Sequence, residues 1–242
     1  MAVKSVPSRN TRNQPVVEQS NIVKLGNRNY KRVELLPRNT AQETYVEALL
    51  TKRMVFAVGP AGTGKTLLAV LRAIQALRSQ EITKIIITRP AVSVDEKHGF
   101  LPGTLNEKME PWTRPIFDVF EEYYGLAETA AMLEDGTIEI APLGFMRGRT
   151  FKNSYIIADE MQNATPDQTK MLLTRIGENS CMVLTGDLRQ HDRGFDKNGL
   201  KDFLDRLATK RADSMSVCKF GREHIERDPL VADVLEIYGE ED

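Results

Sequence analysis

Cysteine, histidine and long apolar runs are scarce in this sequence of 242 residues. The two cysteines, Cys181 and Cys218, each lie in an apolar run, so we expect reduced, buried thiols and no disulfide framework. The three histidines share no metal-ligand spacing with one another or with the cysteines, which argues against a zinc site. No apolar stretch approaches the roughly 20 residues that cross a bilayer, and the first residues lack the apolar core of a signal peptide. We therefore expect a soluble, cytoplasmic protein without a membrane partner.

Net charge is also nearly absent, because 33 Lys and Arg balance 34 Asp and Glu to a formal charge of -1. This balance gives no global indication of a polyanionic partner. The distribution is uneven, since eight basic residues but only two acidic ones precede Asn39. We expect residues 1–36 to form a basic, flexible arm, which either contacts RNA electrostatically or merely aids solubility, and residues 37–242 to form a single domain.

Short apolar runs alternate with helical patterns after this arm. Continuous apolar strands, rather than alternating ones, are typical of a parallel sheet covered by helices on both faces. The predicted strands are residues 54–58, 84–88, 137–141, 155–158, 182–185 and 215–220. The predicted helices are residues 65–77, 106–124, 166–176, 199–207 and 229–238. The pattern predicts an α/β fold with a mostly parallel sheet.

A phosphate-binding pattern, G-x-x-x-x-G-K-[ST], is matched by Gly59-Pro60-Ala61-Gly62-Thr63-Gly64-Lys65-Thr66. The segment follows a predicted strand and opens a predicted helix, which is the context that the pattern requires. Gly62 and Gly64 allow backbone N–H groups to curl around phosphates, and the helix N-terminus adds positive potential. Lys65 is expected to reach the β and γ oxygens, and Thr66 to ligate Mg²⁺. The pattern predicts a site for ATP with Mg²⁺.

Acidic side chains follow a second apolar strand, residues 155–158, which ends in Asp159 and Glu160. Such a pair is often only a solvated loop, but a phosphate-binding loop needs a carboxylate for its metal. Asp159 can hold the Mg²⁺, directly or through its water, and Glu160 can polarise the attacking water as a general base. Gln190, which follows a later strand, suits a sensor of the γ-phosphate. These residues predict hydrolysis of the bound ATP.

Two segments resemble the first motor domain of superfamily 1 helicases, namely Asp159-Glu160-Met161-Gln162 and Thr185-Gly186-Asp187-Leu188-Arg189-Gln190. Five strings, in their order and spacing, resemble the PhoH-like proteins. They are Thr88-Arg89-Pro90-Ala91-Val92, Gly99-Phe100-Leu101-Pro102-Gly103, Met146-Arg147-Gly148-Arg149-Thr150, Asp159-Glu160-Met161-Gln162-Asn163-Ala164-Thr165-Pro166 and Leu173-Thr174-Arg175-Ile176-Gly177. The resemblance covers about residues 39–238 and is closest to a short, phage-type member of the family.

The resemblance implies a RecA-like P-loop ATPase in the cytoplasm, with RNA or single-stranded DNA as partner. It also implies a homo-oligomer such as a hexameric ring. A translocating monomer needs two RecA-like domains to close around ATP, and only one fits after Asn39, so a neighbouring subunit is expected to complete the site. The sequence departs from the family pattern at Met161 and Asn163-Ala164 in the acidic segment, at His191, where the family usually has an aliphatic residue, and at Asp228, where it has a histidine.

Five further residues are assigned more open roles. Gln42 has the spacing of a glutamine that reads adenine in helicases, but it also fits an ordinary surface position. Arg89, Arg147 and Arg149 are candidates for contacts with a nucleic-acid backbone or a neighbouring subunit, and the last two have no acidic residue close by in sequence. Arg227 is a candidate arginine finger, with a surface salt bridge as the alternative.

Two other functions remain open for such a chain. A nucleotide-gated scaffold would bind ATP with little turnover and use it only to bias conformation. A small-molecule kinase would transfer the phosphoryl group to a metabolite. Replacing Glu160 by Gln separates hydrolysis from scaffolding, and dependence of turnover on an added metabolite would indicate a kinase.

Overall fold

A single sheet of six parallel strands organises the computed structural model, which describes residues 30–90, 105–190 and 198–226 and positions 230 and 237. The strands are Met54–Val58 (β1), Lys84–Thr88 (β2), Ile138–Ile140 (β3), Ser154–Ala158 (β4), Cys181–Gly186 (β5) and Met215–Lys219 (β6). The α-helices are Thr40–Thr51 (α1), Lys65–Arg78 (α2), Leu105–Tyr124 (α3), Leu126–Glu134 (α4), Pro166–Leu173 (α5) and Gly199–Leu207 (α6). Short 3-10 helices occur at Leu143–Phe145, Met161–Asn163 and Arg222–His224.

The strand order is β3-β2-β4-β5-β1-β6, with every neighbouring pair parallel. In this register Phe56 of β1 lies opposite Leu184 of β5 and Val217 of β6. Strand β5 therefore separates β1 from β4. Because the strands are parallel, the carboxyl ends of β1, β5 and β4 meet at one edge of the sheet, which is where ligands bind in open α/β folds.

The core lies on both sides of the sheet, and all residues of β1 and β4 are buried. Helix α2 packs against β2, β4 and β5. Strand β1 also contacts α6, where the rings of Phe56 and Phe203 stack with centroids 5.2 Å apart. The predicted α/β class, with a parallel sheet covered by helices, is confirmed, and the arrangement is RecA-like.

The predicted strands agree with the observed ones to within one residue at each end. Predicted helix 166–176 ends earlier, at Leu173, because Phe151 and Ile176 pair in an isolated parallel bridge. Predicted helix 229–238 lies outside the described residues except at positions 230 and 237. Helices α1 and α4 were not predicted. The buried face of α1 includes Gln42 and Tyr45, and the buried positions of α4 are Thr129 and Met132, so neither helix shows a clear apolar period.

The chain divides into two units, Met1–Tyr30 and Lys31–Asp242, and the elements above belong to the second. The basic arm lies mostly outside the described residues, so its boundary at residue 36 stays a prediction. Of the two cysteines, Cys218 is buried as expected and Cys181 is half-buried. None of the helices in the described ranges combines the length and hydropathy that a bilayer crossing requires.

Candidate functional site

The phosphate-binding loop connects β1 to α2 at the carboxyl edge of the sheet, as the sequence predicts. Two positions of this loop require glycine because of their backbone conformation and close neighbours. Gly59 has φ +148°, and a Cβ added to it would lie 2.3 Å from the Phe220 carbonyl oxygen. Gly64 has φ +79° and caps α2 without a side-chain hydrogen bond, so the first N–H groups of this helix remain available to an anion.

Lys65 is the first residue of α2 and only 9% exposed. Its ammonium donates to the carbonyl oxygens of Gly59 at 2.8 Å and Pro60 at 2.6 Å, and to Thr63 Oγ1 at 3.2 Å. The hydroxyl of the buried Tyr45 donates to the Lys65 carbonyl at 3.0 Å and so holds the start of the helix. The ammonium is therefore held by oxygens of the loop itself, and Lys65 is among the residues that line the adjoining recess.

Two predicted metal ligands, Thr66 and Asp159, lie in direct contact. Thr66 Oγ1 donates to Asp159 Oδ1 at 2.9 Å, and Thr185 Oγ1 of β5 donates to the same oxygen. Asp159 is only 8% exposed. The described residues contain no group of three or more His, Cys, Asp and Glu able to hold a metal. One carboxylate beside one hydroxyl fits Mg²⁺, which keeps several waters and is held through few protein oxygens and the phosphates of a substrate.

Glu160 follows β4 in a left-handed conformation, with φ 54° and ψ 38°. Such a backbone is uncommon for a residue with a Cβ and is often found at functional sites. The Glu160 carboxylate accepts a hydrogen bond from Gln162 Nε2 at 2.5 Å. Gln162 Oε1 in turn accepts from the Asp187 N–H at 3.1 Å. The turn after β4 is thus linked to the turn after β5.

Most of the predicted catalytic and binding residues line one recess, whereas Gly59, Pro60 and Gln42 do not. Its lining consists of Ala61, Gly62, Thr63, Gly64, Lys65, Thr66, Leu67, Asp159, Glu160, Thr185, Gly186, Asp187 and Gln190. Gln190 reaches it because a turn, in which the Gln190 N–H donates to the Asp187 carbonyl, follows β5. The structure therefore brings together the phosphate loop, the acidic pair and the proposed γ-phosphate sensor.

Two residues of this recess, Thr185 and Asp187, were not singled out from the sequence. Burial lowers the pKa of Lys65 from its ordinary 10.5, and nearby carboxylates, Asp187 foremost, oppose that shift. The signal that could have found Asp187 was its place just beyond the predicted strand 182–185, within the segment that also contains Gln190.

Gln42 is 4% exposed, and its side chain contacts the backbone of the phosphate loop. Its Nε2 donates to the Thr63 carbonyl at 3.2 Å, and its Oε1 accepts from the Arg38 N–H at 2.9 Å. A Cβ on Gly64 would lie 2.9 Å from Nε2. The amide thus binds backbone on both sides in this structure, and its role in reading adenine stays a prediction.

The segment after β6 also contacts the loop. The Glu226 N–H donates to the Gly62 carbonyl at 2.9 Å, and its carboxylate accepts from Asn39 Nδ2 at 3.1 Å. Arg227, the candidate arginine finger, is the next residue but lies outside the described residues. His191 and Asp228 lie outside them as well.

The three candidate arginines outside the recess have different surroundings. Arg89 is half-buried and donates to the Trp112 carbonyl at 3.2 Å. Arg147 is exposed. Arg149 forms an ion pair with Glu139 of β3, and its guanidinium lies 4.6 Å from the centroid of the Phe151 ring. The acidic partner of Arg149 is thus ten residues away in the sequence, where proximity along the chain gave no indication of it. Contacts of these arginines with nucleic acid or a second subunit stay predictions.

Comparison with known proteins gives consistent results. A family model described as PhoH-like protein matches residues 34–239. A PhoH-like protein of Bacillus subtilis (strain 168) is 45% identical over 213 residues, which cover 87% of this chain and 66% of that protein. Protein PhoH of Escherichia coli (strain K12) is 41% identical over 208 residues, covering 84% and 58% of the two chains. The chain spans less than two thirds of the length of these relatives.

Solved structures show more distant similarity. The Pyrococcus furiosus Hef helicase domain is 13% identical, with a TM-score of 0.44, over 83% of this chain and 41% of that one. The Pif1 helicase of Candida albicans is 18% identical, with a TM-score of 0.41, over 82% of this chain and 43% of that one.

Proposed function

This chain belongs to the PhoH-like protein family, and from that premise we propose that it binds ATP with Mg²⁺ and hydrolyses it to ADP and phosphate. One observation carries the proposal. Asp159, hydrogen-bonded to Thr66 of the phosphate loop, is followed directly by Glu160, and both line the recess that holds Lys65. The residues that we propose as phosphate loop, metal ligands and general base thus lie close together.

Six residues of the recess have distinct parts in this proposal. The N–H groups around Gly64 and the ammonium of Lys65 bind the phosphates, which replace loop carbonyls as acceptors for the lysine. Thr66 and Asp159 hold Mg²⁺, which neutralises charge on the phosphate oxygens when it is bound. Glu160 orients the attacking water and accepts its proton. Gln190 contacts the γ-phosphate from the turn after β5.

We propose further that the ATPase is cytoplasmic, forms a homo-oligomer such as a hexameric ring, and acts on or is regulated by RNA or single-stranded DNA. The helicase-like Asp-Glu-x-Gln and Thr-Gly-Asp-x-x-Gln segments support a nucleic-acid partner, and the exposed Arg147 is available to contact phosphates. A single RecA-like domain supports assembly, because one such domain leaves an ATP site open on one side. Arg89, Arg149 and Arg227 are the other residues proposed for these interfaces.

The deciding experiment compares the wild type with Lys65→Ala and Glu160→Gln. We expect Lys65→Ala to lose both ATP binding and turnover. We expect Glu160→Gln to keep ATP bound while turnover falls by about 100-fold or more, because only the general base is removed. ATP binding by equilibrium titration and phosphate release with and without Mg²⁺ provide the two measurements. Wild-type-like turnover by Glu160→Gln would contradict hydrolysis by this base.

The same assay distinguishes the partners and the alternatives. Turnover is measured at fixed salt with RNA, single-stranded DNA or duplex DNA added, since such binding depends strongly on ionic strength. Stimulation by one polymer supports the nucleic-acid proposal, and stimulation by none argues against it. A scaffold would bind ATP with negligible turnover under all conditions, and a kinase would require an added metabolite.

A further inference from the structure

Gln162 lies beneath the recess and joins the two turns that carry its catalytic groups. It belongs to the short helix Met161–Asn163 and is only 1% exposed. One end of its amide donates to Glu160 Oε2 at 2.5 Å, and the other accepts from the Asp187 N–H at 3.1 Å. Glu160 follows β4 and Asp187 follows β5, so one side chain bridges two neighbouring strand ends.

The chemistry of the partners fixes the orientation of this amide. A backbone N–H can only donate, so the atom of Gln162 that faces Asp187 must be the oxygen. The nitrogen then faces the Glu160 carboxylate, which accepts when ionised. The reversed amide would place an oxygen against a carboxylate and an N–H group against an N–H group. Gln162 therefore acts as a donor toward Glu160 because of its contact with Asp187.

The surrounding backbone leaves little room for an alternative arrangement. A Cβ added to Gly186 would lie 2.8 Å from Gln162 Oε1 and 3.2 Å from its backbone nitrogen. Glu160 itself is half-buried in a left-handed conformation, and a carboxylate on a flexible side chain needs a partner to keep one orientation. The hydrogen bond from Gln162 supplies that restraint.

We propose that Gln162 is a positioning residue for ATP hydrolysis, which holds the Glu160 carboxylate in its reactive orientation and couples it to the turn Asp187–Gln190. This inference rests on the proposed ATPase function. Because Gln190 is the residue proposed to contact the γ-phosphate, a shift of its turn is passed to Glu160 through the amide. Base orientation is thereby linked to the presence of the phosphate that is attacked.

Gln162→Met is the principal test, because it keeps the length and volume of the side chain and removes both hydrogen bonds. We expect kcat to fall by about 10- to 100-fold, since misplacement of a catalytic group by about 1 Å can cost about 100-fold in rate. The dissociation constant of ATP should change by less than about threefold, because no phosphate ligand is altered. The matched control is Gln168→Met, which removes an amide of the nearby α5 capping box and should leave kcat unchanged.

Gln162→Glu separates positioning from folding. This variant keeps an acceptor for the Asp187 N–H but replaces the donor that faces Glu160 with a second carboxylate. We expect its kcat to fall at least as far as that of Gln162→Met, while its unfolding temperature, measured calorimetrically, identifies any loss of fold. A folded Gln162→Glu variant with kcat within twofold of wild type would overturn the proposal.

A double-mutant cycle with Glu160→Gln tests whether Gln162 acts through the base. In the Glu160→Gln background, Gln162→Met should change the residual single-turnover rate by less than about twofold, because the base it positions is gone. Equal losses in both backgrounds would instead assign Gln162 an independent role and reject the coupling. If the wild type itself does not hydrolyse ATP, the proposed function fails first, which is a different outcome from active wild type with unaffected Gln162 variants.

Discussion

At the scale of single residues, the Asp159 carboxylate accepts hydroxyl hydrogen bonds from two different elements through the same oxygen. Thr66 belongs to α2 and Thr185 to β5. Two donors from separate elements restrict rotation of the carboxylate more than either alone. Groups that orient a metal ligand in this way commonly change metal affinity or activity by about 10- to 100-fold when removed.

Thr185→Val should therefore raise the Mg²⁺ concentration required for half-maximal ATPase activity by about tenfold. Valine keeps the shape of the side chain and removes only the hydroxyl that donates to Asp159. The measurement is phosphate release as a function of Mg²⁺ at saturating ATP. Thr169→Val is the matched control, because its buried hydroxyl finds no hydrogen-bond partner among the described residues. An unchanged Mg²⁺ requirement in Thr185→Val would show that Thr66 alone orients Asp159.

Gln42 offers a second residue-scale prediction. Its amide contacts the Thr63 carbonyl and the Arg38 N–H, so Gln42→Leu removes support from the phosphate loop. We expect the affinities for ATP and GTP to fall together, each by about tenfold, since a buried hydrogen bond contributes about 1 kcal/mol and the loop serves both nucleotides. Equilibrium titration with the two nucleotides provides the measurement. A loss confined to ATP would instead demonstrate that Gln42 reads the adenine base.

Residues in fixed local patterns were predictable from the sequence, and residues that act across strands were not. Lys65, Thr66, Asp159 and Glu160 could be assigned because the spacing within one segment determines their relation to a strand end. The contact of Gln162 with Asp187 spans 25 residues and depends on β4 and β5 being neighbours. No pattern in either segment alone specifies that pairing.

At the scale of secondary-structure elements, a network of ion pairs connects the edge strand β3 to β2 and to the loop before β4. Glu139 of β3 accepts from Arg149, in the loop before β4, and from Lys84 of β2 at 3.1 Å. Hydrogen bonding by Arg149, and then by Lys84, holds the pKa of Glu139 below its ordinary value of 4.5. A carboxylate whose pKa is lower in the folded state stabilises the fold above its unfolded pKa, and this stabilisation is lost as pH falls through the folded value.

Glu139→Gln should accordingly lower the free energy of unfolding at pH 7 by about 0.5–1 kcal/mol, a modest value because both partners are partly exposed. The difference from wild type should begin to shrink below about pH 4.5, where Glu139 of the unfolded chain takes up protons, and should disappear below the lower pKa of the folded state. Urea unfolding at several pH values between 3.5 and 7 measures this. Asp205→Asn removes a more exposed ion pair with Lys201 and serves as the control, with little expected change at any pH. A Glu139→Gln difference independent of pH would contradict the electrostatic origin.

The elements themselves were predictable wherever their burial gives a regular pattern. Strands β1, β2 and β4 are continuous apolar runs because both faces of the sheet are covered, and such runs stand out in the sequence. Helix α1 was missed because its buried face includes Gln42 and Tyr45, which serve the phosphate loop. The functional demand on those two positions removed the apolar period by which a helix is recognised.

At the scale of the whole molecule, the recess that we propose as the ATP site lies at one edge of one sheet. The Glu226 N–H donates to the Gly62 carbonyl of the phosphate loop. Glu226, the residue before Arg227, therefore contacts the phosphate loop of its own chain. A closed ring would place such a site beside the next subunit. Completion of the site by an arginine of that subunit is the arrangement that we propose.

Mixing inactive variants tests completion of the site between subunits. Lys65→Ala subunits cannot bind phosphate but still carry Arg227, while Arg227→Ala subunits retain an intact phosphate loop. Each variant alone should be inactive. After random co-assembly, about a quarter of the interfaces would combine an intact loop with an intact arginine, so ATPase activity should return to about that fraction of wild type.

Mixing Lys65→Ala with Glu160→Gln is the control and should restore nothing, because both defects lie in the same subunit's half of the site. The same mixture with Arg149→Ala decides which arginine acts across the interface. No recovery with either arginine variant, together with a monomer by light scattering and a specific activity independent of protein concentration, would show that one chain hydrolyses ATP unaided.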